Sequence, residues 1–485
     1  MTRTPVLVGV AQNEQRVTDW QDHKEPLALM IEASRAAAED AGSTALLDAA
    51  TSVRVIRGRW PYSNPAAQVA EGLGLGNVET CGSQFGGNFV QTLLNASALD
   101  IQAGNHDVIL ITGAECGATQ AKARRAGDKV RWEDPGGTPD RVFGAEVPMA
   151  HPEEIACQIM APIQMYPIFE NALRHHLGED QESHMQRVSE LWAGFSAVAA
   201  DNPSAWLREP KSAEEIRTVG GANRPVSLQY PKFMNSNNNV DQGAALILCS
   251  TDAARRFGIP EDRWVYPWAG TDGHDTYYVS NRDNLYSSPA IRFAAERCLE
   301  LADLTPETLD HVDLYSCFPV AVQVAAREIG LDQSRPLTVT GGLTFAGGPL
   351  NNYVMHSIAR TVELSRAQPG TRNLVTANGG YLTKHAFGIY SSEPPAAPFQ
   401  HDDVQARIDA EPTREVVEGY AGPATIESYT VMYAGTEPQI GHLACTTPDG
   451  ARAWGNATDP EIVGQLVSDS LHGQEVRISD RVISF

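Results

Sequence analysis

The chain has 485 residues, of which 42% are hydrophobic and 20% are charged, and this length predicts two or three domains. Its formal net charge of −23 argues against nucleic acid or an anionic membrane as a partner, because both attract Lys and Arg. The sequence contains no apolar run of the roughly 20 residues that a membrane span needs, and we expect no signal peptide. The seven scattered cysteines, without a CxxC pair, are typical of a reduced cytoplasm and predict no metal site.

The first 115 residues alternate apolar strands with helices. Pro26 suits the start of one amphipathic helix and Gly42 suits its end. The predicted strands are 4–12 and 107–115, and the predicted helices are 26–41, 64–75 and 88–103. Since the run at 107–115 is almost continuously apolar, it predicts a central strand that is buried on both faces. This alternation indicates an α/β sandwich.

Residues 116–235 interrupt the alternation, being rich in charge, proline and aromatic side chains. We interpret them as an insertion that lies over the core. They contain a basic stretch formed by Lys122, Arg124, Arg125, Lys129 and Arg131. Such a cluster on an acidic protein is suited to binding phosphates, and the alternative is a solvated loop that forms ion pairs with its acidic neighbours.

Beyond the insertion the alternation of strands and helices resumes. The predicted strands are 244–250, 311–318, 374–380 and 385–392, and the predicted helices are 289–303 and 319–330. The same order of elements therefore occurs twice, at about 4–115 and about 244–392, which suggests a duplicated α/β unit. Residues 393–412 have the composition of a linker. The short β-like runs that follow, with a Pro-Asp-Gly turn at 448–450, predict a small all-β barrel.

Several segments together resemble the thiolase superfamily. These segments are LLNASALDIQAGNHDVILITGAE (93–115), VDQGAALILCS (240–250), LYSCF (314–318), TGGLTFAGGP (340–349) and TANGG (376–380). LYSCF is similar to the His-Asp-Cys-Phe motif of the sterol-carrier-type thiolases, and the β-rich end resembles that of type-1 thiolase-like, acetyl-CoA acetyltransferase-like proteins with an additional C-terminal domain. The resemblance implies a duplicated five-layer αβαβα thiolase fold plus a small all-β barrel.

The resemblance implies four regions, whose boundaries lie where the composition of the sequence changes. An N-terminal half covers 1–250 and includes the insertion at 116–235, and a C-terminal half covers 251–395. A linker at 396–412 leads to the additional domain at 413–485.

The resemblance also locates the three catalytic positions of a thiolase, and none carries the expected side chain. Counting back from Gly104 places the nucleophilic cysteine at Gly87, within about one residue. The catalytic histidine falls at Gly348 and the second cysteine at Ala377. Without a thiol no acyl-enzyme can form, so we do not expect conventional thiolase activity. Cys81 is either a buried cysteine or a displaced nucleophile.

The groups left in the cleft are Tyr315, Asn378 and His385, which we predict as its catalytic side chains. Tyr315 replaces the motif histidine, and thiolase-fold steroid side-chain aldolases are thought to use cleft tyrosines as acid/base groups. A core phenol is the alternative for Tyr315. The predicted binding residues for coenzyme A or acyl-CoA are Lys122, Arg124, Arg125, Gly347, Gly348, Gly379 and Gly380, since glycines allow close backbone approach.

Three functions therefore remain open. The first is an acyl-CoA-binding protein of the acyltransferase superfamily, the second is a carbon–carbon lyase that uses Tyr315, and the third is a non-catalytic scaffold. The C-terminal barrel is similar to oligonucleotide-binding folds, but its few basic residues argue against nucleic acid. We expect it to act as a lid, or to cover the thiolase dimerisation surface, which would leave the chain a monomer. The substrate and acyl chain length stay undetermined.

Overall fold

The computed structural model describes residues 3–485, and its first half matches the predicted alternation closely. Helix α1 starts at Pro26 and ends before Gly42, whose left-handed conformation (φ 83°) lets its N–H bond the carbonyls of the last turn. The elements of this half are β1 (Pro5–Glu14), α1 (Pro26–Ala41), α2 (Thr44–Asp48), β2 (Ser52–Val55), α3 (Pro65–Leu73), β3 (Glu79–Ser83), α4 (Phe89–Ala103) and β4 (Val108–Cys116).

The expected insertion is mainly helical. Its elements are α5 (Gly117–Arg125), β5 (Arg141–Phe143), α6 (Pro152–Ala156), α7 (Pro162–His176), α8 (Gln181–Asp201), α9 (Ala213–Arg217), β6 (Pro225–Ser227) and β7 (Tyr230–Pro231). Strand β5 pairs in parallel with β3 and so forms one edge of the first sheet.

The second half repeats the alternation. Its elements are β8 (Asp241–Ser250), α10 (Thr251–Arg256), β9 (Tyr266–His274), α11 (Pro289–Leu301), β10 (His311–Asp313), α12 (Pro319–Ile329), α13 (Gly342–Phe345), α14 (Tyr353–Ala367), β11 (Asn373–Gly379), β12 (Lys384–Ser391), β13 (Gln400–Asp403) and α15 (Gln405–Ile408).

Strand order reveals the duplication that the sequence only suggested. The first sheet contains the run β2-β4-β8-β1 and the second contains β10-β11-β12-β9. In both runs the first pair is parallel and the next two pairs are antiparallel. Helices α4 and α14 contact strands of both sheets, while α1 packs on the first sheet and α11 on the second. This arrangement gives the five layers of the predicted αβαβα fold.

Two predicted segments differ from the structure. The strand expected at 311–318 ends at Asp313, because the next residues leave the ladder and Tyr315 N donates to the hydroxyl of Thr376 instead (2.8 Å). The segment expected to be a linker, 396–412, contains β13 and α15. Strand β13 pairs in parallel with β9 and extends the second sheet, a long-range pairing that a linker-like composition does not reveal.

The C-terminal region is a closed barrel of five strands with one helix. Its elements are β14 (Gly422–Ala434), β15 (Glu437–Thr446), β16 (Arg452–Ala457), α16 (Pro460–Ser468), β17 (Glu475–Ser479) and β18 (Val482–Ser484). The strands pair in the order β14-β15-β16-β18-β17 and back to β14, with β16 and β18 parallel. This is the order of the oligonucleotide-binding fold, in agreement with the predicted barrel type.

Buried polar side chains of the barrel form hydrogen bonds with the rest of the protein. Arg452 is fully buried and donates to the carbonyls of Ser280 (2.9 Å) and Arg282 (2.6 Å), while forming an ion pair with Glu427. The Trp454 indole donates to the hydroxyl of Ser280 (2.8 Å). A face formed by β15 and β16 is thus covered by the chain itself. Within residues 3–485, no helix combines the length and apolarity needed to cross a membrane.

Candidate active site

The structure brings three of the predicted positions together at the N-terminal end of α4. Gly87 lies just before this helix, Tyr315 follows β10, and Asn378 lies near the end of β11. A Cβ atom placed on Gly87 would lie 2.5 Å from the Tyr315 hydroxyl and 2.5 Å from the Asn378 carbonyl oxygen. His385, on β12, is directly opposite Asn378 in the sheet register.

These contacts leave no room for a side chain at Gly87. Heavy atoms almost never approach a real Cβ closer than 3.0 Å, and one of the two close atoms here belongs to the backbone. The phenol of Tyr315 therefore occupies the volume that a residue at Gly87 would need. The positions expected for the second cysteine and the histidine have different surroundings. Ala377 is buried in β11, whereas a Cβ on Gly348 would lie 3.1 Å from Asn238 Oδ1.

Tyr166, on helix α7 of the insertion, is a central residue that the sequence did not reveal. Its hydroxyl accepts hydrogen bonds from Asn378 Nδ2 (3.0 Å) and Leu382 N (2.9 Å) and donates to the Gly380 carbonyl (3.2 Å). Its ring stacks on Phe318 with centroids 4.5 Å apart. No local motif marks Tyr166, because its role depends on where the insertion folds back over the core.

His385 is buried and points towards a carboxylate. Its Nε2 lies 4.0 Å from Asp275 Oδ2 and has no hydrogen-bond partner within residues 3–485. Desolvation lowers the pKa of His385 to about 4, so the ring is neutral at physiological pH. Asp275 is held by the Ser288 hydroxyl and by Arg282, which keeps it from approaching the imidazole.

Tyr315, Asn378 and His385, the three predicted catalytic residues, line one small cavity together with Ala377. The cavity has a volume of about 10 Å³, which is space for about one water molecule. Burial raises the pKa of Tyr315 well above its usual value, so its hydroxyl stays protonated. The cluster therefore offers one phenolic donor, one amide and one neutral imidazole, without space for an acyl group.

Neither Cys81 nor Cys317 is suited to nucleophilic chemistry. Cys81 lies within strand β3, fully buried, and desolvation raises the pKa of its thiol to about 12. Cys317 is also buried, and desolvation raises its pKa to about 12 as well. Because the thiolate is the reactive form, both thiols are inert at neutral pH in this conformation.

The residues of the basic stretch do not all lie at one site. Lys122 and Arg125 line a surface cavity of about 490 Å³, which Arg16 and Trp206 also line. The Lys122 ammonium donates to the Val17 carbonyl. Arg124 is exposed on the same helix and does not line this cavity, nor do Lys129 and Arg131, which are exposed beyond α5.

The four predicted binding glycines fall into two groups. A Cβ on Gly347 would clash with the Gln242 side chain, and Gly348 N donates to Asn237 O. This pair lies beside Asn237–Asp241, the segment whose end lines the Lys122 cavity. Gly379 and Gly380 instead contact Asn88 and Met149 respectively. The residues expected to form one binding site thus divide between two parts of the molecule.

Comparisons with known proteins agree with this architecture. A family model described as the thiolase-like protein type 1 additional C-terminal domain matches residues 403–481. The crystal structure of a monomeric SCP2-thiolase like protein type 1 from Mycobacterium smegmatis is 32% identical, covers 99% of this chain and 97% of that protein, and gives a TM-score of 0.85. This chain belongs to the SCP2-thiolase-like proteins of type 1.

More distant relatives place this type 1 thiolase-like chain within the thiolase superfamily. An Ltp2-ChsH2(DUF35) aldolase structure shares its fold at 19% identity, covering 79% of this chain and 97% of that one, with a TM-score of 0.59. An acetyl-CoA acetyltransferase from Methanothermobacter thermautotrophicus is 25% identical over 199 residues, which is 38% of this chain. The match spans half of that protein's length.

Proposed function

We propose that this chain binds coenzyme A or acyl-CoA without the cysteine chemistry of a thiolase. The observation that carries the proposal is the filled volume at Gly87, where the Tyr315 hydroxyl and the Asn378 carbonyl each lie 2.5 Å from the position of a Cβ. A thiolase forms its acyl-enzyme on a cysteine side chain, and a ping-pong transfer needs that intermediate. At Gly87, the position that the resemblance assigns to this cysteine, there is neither a thiol nor space for one.

The ligand of this proposal is supported by the cavity at α5. Lys122 and Arg125 supply positive charge on a protein with a net charge of −23, and phosphate groups favour such charge-assisted bonds. The cavity of about 490 Å³ is within the range of small-molecule sites. Lys122 and Arg125 would hold the phosphates, and the glycines of the 347–348 loop lie near the same segment of backbone.

Calorimetry against coenzyme A, acetyl-CoA and a long-chain acyl-CoA tests this proposal. Replacing both Lys122 and Arg125 by Gln should weaken binding at least tenfold, because each loses a charged hydrogen bond. Arg124→Gln, on the same helix but outside the cavity, is the matched control and should leave affinity unchanged. Absence of binding at near-millimolar concentration for all three ligands would refute the proposal and favour a scaffold role.

A second candidate is a carbon–carbon lyase that works without a covalent intermediate. Its basis is the shared cavity of Tyr315 and His385: the protonated phenol can donate to a developing oxyanion, and the neutral imidazole can accept a proton. The fold shared with the Ltp2-ChsH2(DUF35) aldolase is compatible with this chemistry. Since the cavity holds about one water, turnover requires side chains that line it, such as Tyr315, to move.

Substitution of the phenol tests the lyase. Once a substrate is identified, Tyr315→Phe should lower kcat by at least a hundredfold, since general acid catalysis contributes roughly 10²–10⁴. Tyr381→Phe is the control, because its hydroxyl is bonded to the Met160 carbonyl elsewhere (2.6 Å). Unchanged turnover in Tyr315→Phe would eliminate this candidate.

We also propose that the chain is a monomer. The support is the monomeric relative from Mycobacterium smegmatis, together with strand β5, which covers the edge of β3 and leaves a strand of only three residues at that end of the sheet. Sedimentation at micromolar concentration should show one species of 52.4 kDa. A stable dimer would contradict the proposal.

A further inference from the structure

A second large cavity shares no lining residue with the Lys122 site. It occupies about 520 Å³ beside the ends of β2 and β3 and the loop after β5. Its walls combine polar side chains with apolar and aromatic ones, which include Trp60, Phe85, Val142 and Met149. This size and lining are typical of sites that enclose most of a small molecule.

Two cations line this cavity, the exposed Arg57 and the partly buried Lys384. Arg57 donates to the Tyr62 carbonyl (3.3 Å), and its guanidinium lies over the Trp60 ring at 5.2 Å. Lys384 donates to the Phe85 carbonyl (2.8 Å). Among residues 3–485, neither Arg57 nor Lys384 forms an ion pair with an Asp or Glu.

Lys384 differs in this respect from the fully buried Arg54, which is paired with Asp100 (2.5 Å). Lys384 is only partly exposed, and its burial lowers its pKa to about 8, a cost that no neighbouring carboxylate offsets. The acidic residue that lines the cavity, Glu146, is exposed to solvent. A bound anion would supply the missing charge.

We propose that this cavity binds a small amphipathic anion, whose charged oxygens are neutralised by Lys384 and Arg57 and whose apolar part contacts Trp60, Val142 and Met149. The ligand class is a carboxylate or phosphate head on a hydrocarbon body. Charge-assisted bonds would fix the head, and burial of the hydrocarbon would supply most of the affinity. This site is separate from the Lys122 cavity and does not depend on coenzyme A binding there.

Four probes test the assignment by calorimetry on the full chain: octanoate, octyl phosphate, octanol and inorganic phosphate. At least one of the two amphipathic anions should bind at least tenfold more tightly than octanol and than phosphate alone. The ranking of octanoate against octyl phosphate then identifies the preferred head. Equal binding of octanol and the anions, or no binding of either anion at millimolar concentration, would overturn the proposal.

Substitutions connect that binding to the two cations. Lys384→Met and Arg57→Gln should each weaken anion binding about tenfold, whereas Lys384→Arg, which keeps the charge, should retain it. Lys129→Met, at an exposed position away from the cavity, is the control for net charge. Lys384→Met should leave acetyl-CoA binding unchanged, so failure here is distinguishable from failure of the proposed function. Unaltered octanoate and octyl phosphate affinity in Lys384→Met would refute the site.

Discussion

The filled volume at Gly87 predicts that even one added methyl group destabilises the protein. In Gly87→Ala the new Cβ would lie 2.5 Å from the Tyr315 hydroxyl, 3.0 Å from its Cζ atom and 2.5 Å from the Asn378 carbonyl. The phenol can rotate or shift, but the carbonyl belongs to β11, whose register is fixed by β10 and β12. Overpacking of this kind costs roughly 1–3 kcal/mol in unfolding free energy.

Chemical unfolding, followed by fluorescence and circular dichroism, measures this cost. Gly194→Ala is the matched control, because it lies within helix α8 and its Cβ would meet no atom within 4 Å. That change should stabilise the protein slightly, since alanine is favoured over glycine in helices by up to about 1 kcal/mol. If Gly87→Ala is tolerated as well as Gly194→Ala, the volume at Gly87 is not filled and the reasoning fails.

A double-mutant cycle identifies the atoms responsible. In a Tyr315→Ala background one of the two obstructing groups is gone, so Gly87→Ala should cost roughly 0.5–2 kcal/mol less than in the native background. The remaining cost measures the backbone contact with Asn378. Equal costs in both backgrounds would show that Tyr315 does not occupy this volume.

Three further predictions concern the buried polar groups. Tyr166→Phe should lower the free energy of unfolding in denaturant by roughly 1–3 kcal/mol, because Asn378 Nδ2 and Leu382 N lose their acceptor. An unchanged free energy of unfolding would show that water replaces the hydroxyl. Arg452→Met should destabilise the barrel by roughly 1–3 kcal/mol, because the Ser280 and Arg282 carbonyls lose their charged donor, whereas the partly exposed Glu427 keeps Arg414 as a partner (3.4 Å). Exposed Arg477→Met on β17 should be neutral. Limited proteolysis of the barrel measures both variants, and equal resistance would contradict the anchoring role of Arg452. Because burial lowers the pKa of His385 from 6.5 to about 4, its neutral form contributes stability that is complete above pH 6.5 and is lost as the pH falls through 4. His385→Gln should therefore flatten the acid side of the stability profile, and an unaltered profile would contradict the shift.

Much of the fold could be predicted from local sequence patterns. The helix at 26–41 was predicted with its correct ends, because proline and glycine mark them. The order of motifs identified the duplicated core, and the turn at 448–450 marked the barrel. By contrast, composition predicts a linker where β13 lies, because the polar sequence of this strand has no strand periodicity and is ordered only by pairing with β9.

The candidate site was predicted less completely. Tyr315, Asn378 and His385 do share a cavity, because motif order places the ends of their strands together. Tyr166 could not be predicted, since it reaches the cleft from a helix of the insertion whose path over the core is set by tertiary packing. Lys122 and Arg125 were grouped with Arg124 by proximity in sequence, and helical geometry separates them.

Mass spectrometry of the intact protein after incubation with acetyl-CoA distinguishes binding of the ligand from formation of an acyl-enzyme. We expect coenzyme A binding in solution but no covalent acetyl group on the chain, because Gly87 supplies no nucleophile and Cys81 and Cys317 are buried with raised pKa values. An acetyl thioester on either cysteine, formed at neutral pH and discharged by added coenzyme A, would contradict this expectation.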